Sequence, residues 1–279
     1  MCEVTGARVT VSIAGVALAA SVSCSLFGTA TDLVSTVHTA SDVVAKLTDL
    51  TKDLTPENEY FVGRSVATNI LAKHDYRYLD SNSSGRLGGA TEYVNQIGTV
   101  IVASALGTSR PGDRPAPLAG WHFVIVESDS INAFAAPGGF VFVSLAALKL
   151  AHSEDELAFV LAHEVAHVVR GHALGTIKKA RYADISKDAL QTSGALSGPA
   201  LGELTQLLEG AIDDMIDAFF VKGYSKDTEY EADQVALSLV IDAGYDPTAA
   251  TAYLTRMATG QDTGSGGFYQ THPKAQDRI

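Results

Sequence analysis

The segment His163-Glu164-Val165-Ala166-His167 constrains this chain more than any other feature. Its surroundings read as a helix. Ser153 and Glu156 match a capping box, in which each side chain satisfies a free backbone N–H of the first turn. Leu157, Phe159, Val160, Leu161, Val168 and Val169 supply apolar flanks, and Gly171 suits the position just past a helix end. Residues four apart share a helix face, so both imidazoles can reach one metal ion. Glu164 is displaced by about 100° and can address the metal's water instead. Two histidines on an otherwise apolar face are costly to bury unless something engages them. The only cysteines, Cys2 and Cys24, lie in the first thirty residues. Any metal in the folded body must therefore be held by His, Asp or Glu.

A tetrahedral zinc site with an open position needs a third protein ligand. One class of zinc enzyme places a Gly three residues, and a His six residues, after the second histidine. Here Arg170 is at +3, Gly171 at +4 and His172 at +5, so that pattern fails. His172 reads instead as a helix-end residue meeting the last carbonyls. The alternative is a Glu on a later helix, and Glu229-Tyr230-Glu231-Ala232-Asp233 supplies one. Glu229 and Asp233 share a face, with Glu229 assigned to the metal. Asp233 would accept an N–H from a ligand histidine and fix its tautomer. Glu231, about 200° around from Glu229, should point elsewhere.

The rest of the chain reads as mainly helical with a small central sheet. Helices are expected over 31–54, Pro56 to about His74, Thr91 to Leu106, 226–243 and 247–259. Asp80 to Gly89 reads as a loop, as does the chain from Gln261. Trp121 to Val126 and Phe140 to Val143 read as strands. Pro137-Gly138-Gly139 between apolar extended runs is a hairpin or bulge signal. Leu204 to Phe220 carries a broad apolar stripe, a core-packing helix or a lid. With 46 % apolar and 19 % charged residues the chain is ordinarily globular. Its net charge of −12 disfavours nucleic-acid binding. Past residue thirty no apolar run reaches bilayer length, which excludes a polytopic membrane protein.

The N-terminus reads as a targeting segment. Arg8 precedes the uncharged run Val9 to Val22, and Ser21-Val22-Ser23-Cys24 closes it. A Cys after small residues resembles the lipobox of bacterial lipoproteins, although Ser21 stands where Leu is usual. The expectation is a signal peptide over 1–23, Cys24 as the lipidated first mature residue, and a helical segment over 24–54; the alternatives are a plain cleaved signal and an uncleaved anchor or core helix.

The two motifs together resemble those of the M48 zinc metallopeptidases of the Ste24 and HtpX type. Asn132-Ala133-Phe134-Ala135-Ala136-Pro137-Gly138-Gly139-Phe140-Val141-Phe142-Val143 is similar to that family's N-A-F-A-x-P-G-G segment. Ser153 to Ala158 ahead of the zinc helix, and Thr271-His272-Pro273 with Arg278-Ile279, also fit. The resemblance covers about residues 55–279 and is closest to the soluble periplasmic branch; the expectation is a bare catalytic domain without that branch's C-terminal repeats. It implies an α+β, zincin-like peptidase domain over 55–279, holding one zinc ion. The expected substrates are unfolded or misfolded proteins of the bacterial cell envelope, with membrane contact through a lipid anchor only. His163, His167 and Glu229 would hold zinc, and Glu164 would act as general base. Asn132, Ala133, Gly139, Phe140, Val141 and Phe142 would bind substrate, 139–143 as an edge strand. His272 or Arg278 could stabilise developing negative charge. Alternatively His272 occupies the fourth zinc position and holds the enzyme latent, or Arg278 forms a structural salt bridge. Two rival readings remain: a binding or chaperone-like module on a peptidase scaffold, and a metal-stabilised structural domain.

Overall fold

The computed structural model describes residues 55–73, 77–79, 86–108, 110–175, 224–259, 272 and 278, and short strands at 12–13 and 16–17. Residues 1–49 and 50–279 form separate compact units. In the first, β1 (Ser12–Ile13) pairs antiparallel with β2 (Val16–Ala17). Cys24, the helix expected over 31–54, the apolar stripe at 204–220 and the loop expected over 261–270 lie outside the described residues.

The second unit is built on a four-stranded sheet. Its strands are β3 (Tyr78–Leu79), β4 (His122–Val126), β5 (Ala133–Ala136) and β6 (Phe140–Ser144), in the order β3-β4-β6-β5. β4 and β6 run parallel with Val124 opposite Phe142, while β5 and β6 are antiparallel with Phe134 opposite Phe142. The Pro137–Gly139 turn joins the last two as a hairpin. Gly138 (φ 74°) and Gly139 (φ 89°) take the left-handed conformations that the turn needs.

Neither β5 nor the Phe140–Val143 run of β6 alternates polar with apolar residues, because both faces of the sheet are covered. Phe134, Ala136 and Phe142 pack with Val62, Val66 and Ile70 of α1 (Pro56–Lys73). Ala133, Ala135, Val141 and Val143 face the other way. They join Val94, Ile97 and Ile101 of α2 (Arg86–Gly107) and Leu157, Leu161 and Val165 of α4 (Glu154–Val169) in the main core. A short α3 (Leu145–Leu150) follows β6. Ser144 Oγ caps it, accepting from Ala147 N and also from Asn132 N, at 3.0 Å each. Two further helices, α5 (Lys226–Asp242) and α6 (Thr248–Thr259), complete the core beside α4.

Ser153 caps α4 as expected, its Oγ accepting from Glu156 N at 3.2 Å. The Glu156 carboxylate, however, does not turn back to Ser153. Oε2 accepts from His152 N at 2.7 Å, and Arg256 of α6 grips both oxygens at 2.6 and 3.0 Å. The zinc-motif helix is thereby tied to α6 at its N-terminal end.

Three expectations need correction. The loop expected over Asp80 to Gly89 runs too far, since α2 begins at Arg86. Gly88 and Gly89 near its start cost such a helix up to about 1 kcal/mol each relative to Ala, and its buried positions Val94, Ile97 and Ile101 outweigh that. The strands read from sequence did not include β3. The run 139–143 is not an edge strand, because β6 is hydrogen-bonded to β4 on one side and β5 on the other. The edge beside the zinc motif is β5, an arrangement set by the long-range pairing of β4 with β6.

Candidate metal centre

α4 brings His163 and His167 to one buried face, their Nε2 atoms 3.0 Å apart. α5, packed against it, inserts Glu229, which is 0 % exposed. Its Oε2 lies 3.3 Å from His163 Nε2 and its Oε1 3.3 Å from His167 Nε2. The fourth member is His272, with Nδ1 2.7 Å from Glu229 Oε2. One donor atom from each of the four lies within 4.8 Å of the others. Glu164 is buried beside them, its Oε1 3.8 Å from His272 Nε2.

The donors suit a divalent cation of zinc type: imidazole nitrogens and a carboxylate, with no thiolate. Glu164 Oε1 and Glu229 Oε1 are buried without a hydrogen-bond partner among the described residues. Such atoms are costly to bury, and a cation with its water offers them a counter-charge or a donor.

The electrostatics agree. Burial and Arg278 press His163 toward neutrality, but Asp233 and Glu229 outweigh them and raise it to about 9. Burial keeps His167 well below its ordinary value. Burial raises the Glu229 carboxyl, yet His272, His163 and His167 hold it well below the usual range. Glu164 goes the other way, pushed up mainly by burial.

Behind the donors, Asp233 Oδ1 lies 3.0 Å from His163 Nδ1. Arg278 holds Asp233 through Nε at 2.9 Å and Nη2 at 2.5 Å, and reaches Glu229 Oε2 at 3.5 Å. The structure therefore gathers His163, Glu164, His167, Glu229, Asp233, His272 and Arg278. Glu231 points away, half-exposed, as expected from the helical period. Ala133 touches the group through its carbonyl, 3.3 Å from His272 Nε2. Gly139, Phe140, Val141 and Phe142 are set back in the turn and the interior strand. Asn132 is buried at the start of β5, its carbonyl accepting from Ser144 N at 2.8 Å.

Two neighbours were missed from sequence. His172 does not cap the last carbonyls but meets His167, Nδ1 to Nδ1, at 2.9 Å. Tyr224 stacks on the His167 ring with centroids 4.4 Å apart and planes 18° apart. Its only sequence signal was a place just before the α5 cap Ser225.

The Peptidase family M48 profile matches residues 95–279, which take in every member of this group. The chain belongs to peptidase family M48. It carries a metalloendopeptidase domain of this zinc-dependent family, with a donor group for the ion. It is 31 % identical over 195 residues to a putative beta-barrel assembly-enhancing protease of Vibrio cholerae, covering 67 % of this chain and 37 % of that protein. It is 28 % identical over 196 residues to the beta-barrel assembly-enhancing protease of Escherichia coli K12, covering 68 % and 37 %. The mitochondrial metalloendopeptidase OMA1 of Schizosaccharomyces pombe is 34 % identical over 161 residues, covering 57 % and 44 %. These M48 relatives are thus matched over less than half of their own length. Among the described residues, no helix is long and apolar enough to cross a membrane.

Proposed function

We propose that the chain is a zinc endopeptidase that cleaves unfolded or misfolded proteins of the bacterial cell envelope. The observation that carries this reading is the convergence of His163, His167 and Glu229 beside the buried carboxylate of Glu164. These three residues would hold one zinc ion, which supplies the Lewis acidity that makes water a nucleophile near neutral pH. Glu164 would accept the water's proton and deliver it to the leaving amine. Its raised affinity for protons suits both halves of that transfer. Asp233 fixes the His163 tautomer by accepting its Nδ1 proton, and Arg278 holds Asp233 in place. Arg278, its side chain 1 % exposed in this network, is therefore read as a structural ion pair rather than a group that meets substrate.

An extended substrate would add to β5. Asn132 O is taken by Ser144 N, so ladder alternation directs the backbone groups of Ala133 and Ala135 away from β6. Main-chain pairing along that edge would select extended backbone over sequence, which suits unfolded clients. The bacterial relatives named as assembly-enhancing proteases support an envelope location. Cys24 would anchor the mature protein by its lipid. Mass spectrometry of the cell-purified protein should find an acylated form starting at residue 24; a retained Met1 would refute the cleavage.

The test is digestion of unfolded casein by the purified protein beside its Glu164→Gln form at matched zinc content. Cleavage by the first alone supports the reading, and equal cleavage by both overturns the role of Glu164. A second reading, a latent or client-holding module, rests on His272. That residue both joins the donor group and touches the Ala133 carbonyl on the edge an extended peptide would use. If His272 blocks the site, His272→Ala raises turnover; if it stabilises developing charge, turnover falls.

A further inference from the structure

His172 has no part in the chemistry above, yet its position is elaborately made. On an unbroken helix a residue five beyond His167 stands about 140° around from it. Here α4 stops. Gly171 adopts φ 65°, and its N–H closes onto Val168 O at 3.0 Å. A Cβ at Gly171 would meet Arg114 Cδ at 2.4 Å as well as the strain of that backbone conformation. The reversal carries His172 back to His167, Nδ1 to Nδ1, at 2.9 Å.

His167 turns its other nitrogen, Nε2, toward Glu229 and His163. A neutral imidazole that offers one nitrogen as a lone pair carries its proton on the other. If Nε2 meets the metal, Nδ1–H of His167 needs an acceptor, and His172 Nδ1 stands at hydrogen-bond distance. That bond fixes the second tautomer too: His172 accepts at Nδ1 and directs Nε2–H at Glu231 Oε2, 3.5 Å away. Arg170 Nε, 3.3 Å from Glu231 Oε1, steadies the far end. The stacked Tyr224 ring sets the plane of the His167 imidazole. His163 is backed differently, by the Asp233 carboxylate.

We infer that His172 is a positioning residue for His167, accepting its Nδ1 proton and so presenting Nε2 to the metal. The inference rests on the proposed assignment of His163, His167 and Glu229 to zinc. It also places Glu231, whose Oε2 lies 3.5 Å from His172 Nε2, at the outer end of this line of contacts.

The test compares full-length His172→Phe, which keeps a ring but no acceptor, with His172→Asn, whose Oδ1 replaces the Nδ1 acceptor. Zinc affinity is measured by competition with a chromophoric chelator, and melting of the zinc-free proteins is followed in parallel. His172→Phe should lose about 10- to 100-fold in affinity, the range for residues that orient a metal ligand. The cobalt-loaded form should show shifted visible bands. Zinc-free melting should stay at the wild-type temperature, and His172→Asn should recover most of the affinity. Wild-type affinity in His172→Phe, or equal losses in both variants, overturns the inference. A variant that does not fold leaves a direct measurement on the zinc-loaded wild type, the ¹⁵N spectrum of its histidine rings. His167 should show Nδ1–H; Nε2–H there overturns the inference. None of these readouts needs a substrate, so a protein that binds zinc this way and cleaves nothing defeats only the peptidase reading.

Discussion

Glu229 and Glu231 stand two residues apart on α5 and face opposite environments, one with no exposed surface and the other half in water. The difference is the helical period, and it separates their consequences. Glu229→Gln removes a buried charge from the donor group and should weaken zinc binding by at least about 10-fold, while Glu231→Gln should change it far less. Equal losses in a chelator competition would refute the helical-face assignment. Glu164→Gln is nearly isosteric and should leave zinc content and melting temperature unchanged. It should lower kcat by about 10²- to 10⁴-fold, the range for a positioned general base. Glu164 and Glu229 were legible in the sequence because each stands three or four positions from a companion on its own helix, Glu164 from His167 and Glu229 from Asp233. His172 was not, because its contact with His167 depends on a helix end, and the left-handed turn at Gly171 reverses the direction in which the side chain leaves.

At the scale of elements, two contacts fix how the parts assemble. The Arg256 fork on Glu156 joins α6 to the N-terminal end of α4. Burial raises the Glu156 carboxyl, but Arg256 and the His152 N–H outweigh it and hold it below its ordinary value. A carboxyl depressed in the folded state adds stability above its unfolded pKa and loses it as pH falls through the folded one. The stability gap between wild type and Glu156→Gln should therefore be full above about pH 5 and shrink below about pH 4. Urea unfolding at both pH values checks this, and a gap independent of pH would remove the ion pair from the account. The second contact is Gly63 of α1, where an added Cβ would lie 1.7 Å from Pro137 O. Gly63→Ala should destabilise by about 1–3 kcal/mol, the usual cost of overpacking, by prying α1 from the β5–β6 turn. Thermal melting reads it directly. The hairpin was legible from Pro137-Gly138-Gly139, a local signal. The edge was misread, because which strand borders β6 is decided by β4, whose residues pair with partners 18 positions downstream.

For the whole molecule, the donor group joins three distant stretches of chain: α4, α5 and the segment around His272. A ligand that binds only the folded state stabilises it by mass action. Stripping the metal should therefore lower the melting temperature, and adding zinc should restore it. At free zinc about 100 times the dissociation constant, the gain is about 2.7 kcal/mol. A melting temperature indifferent to zinc would mean that the four donors do not close on an ion.

The sequence alone pointed to the chemistry proposed for this protein. Cap, period and spacing put two histidines on one face, and the second motif put a carboxylate and its backing aspartate on another, since a helix turns local order directly into geometry. Tertiary structure alone decided which strand forms the edge of the sheet, that His172 stands behind His167, and that His272 comes within 2.7 Å of Glu229. Those outcomes depend on packing between segments far apart in the chain, where sequence spacing carries no distance.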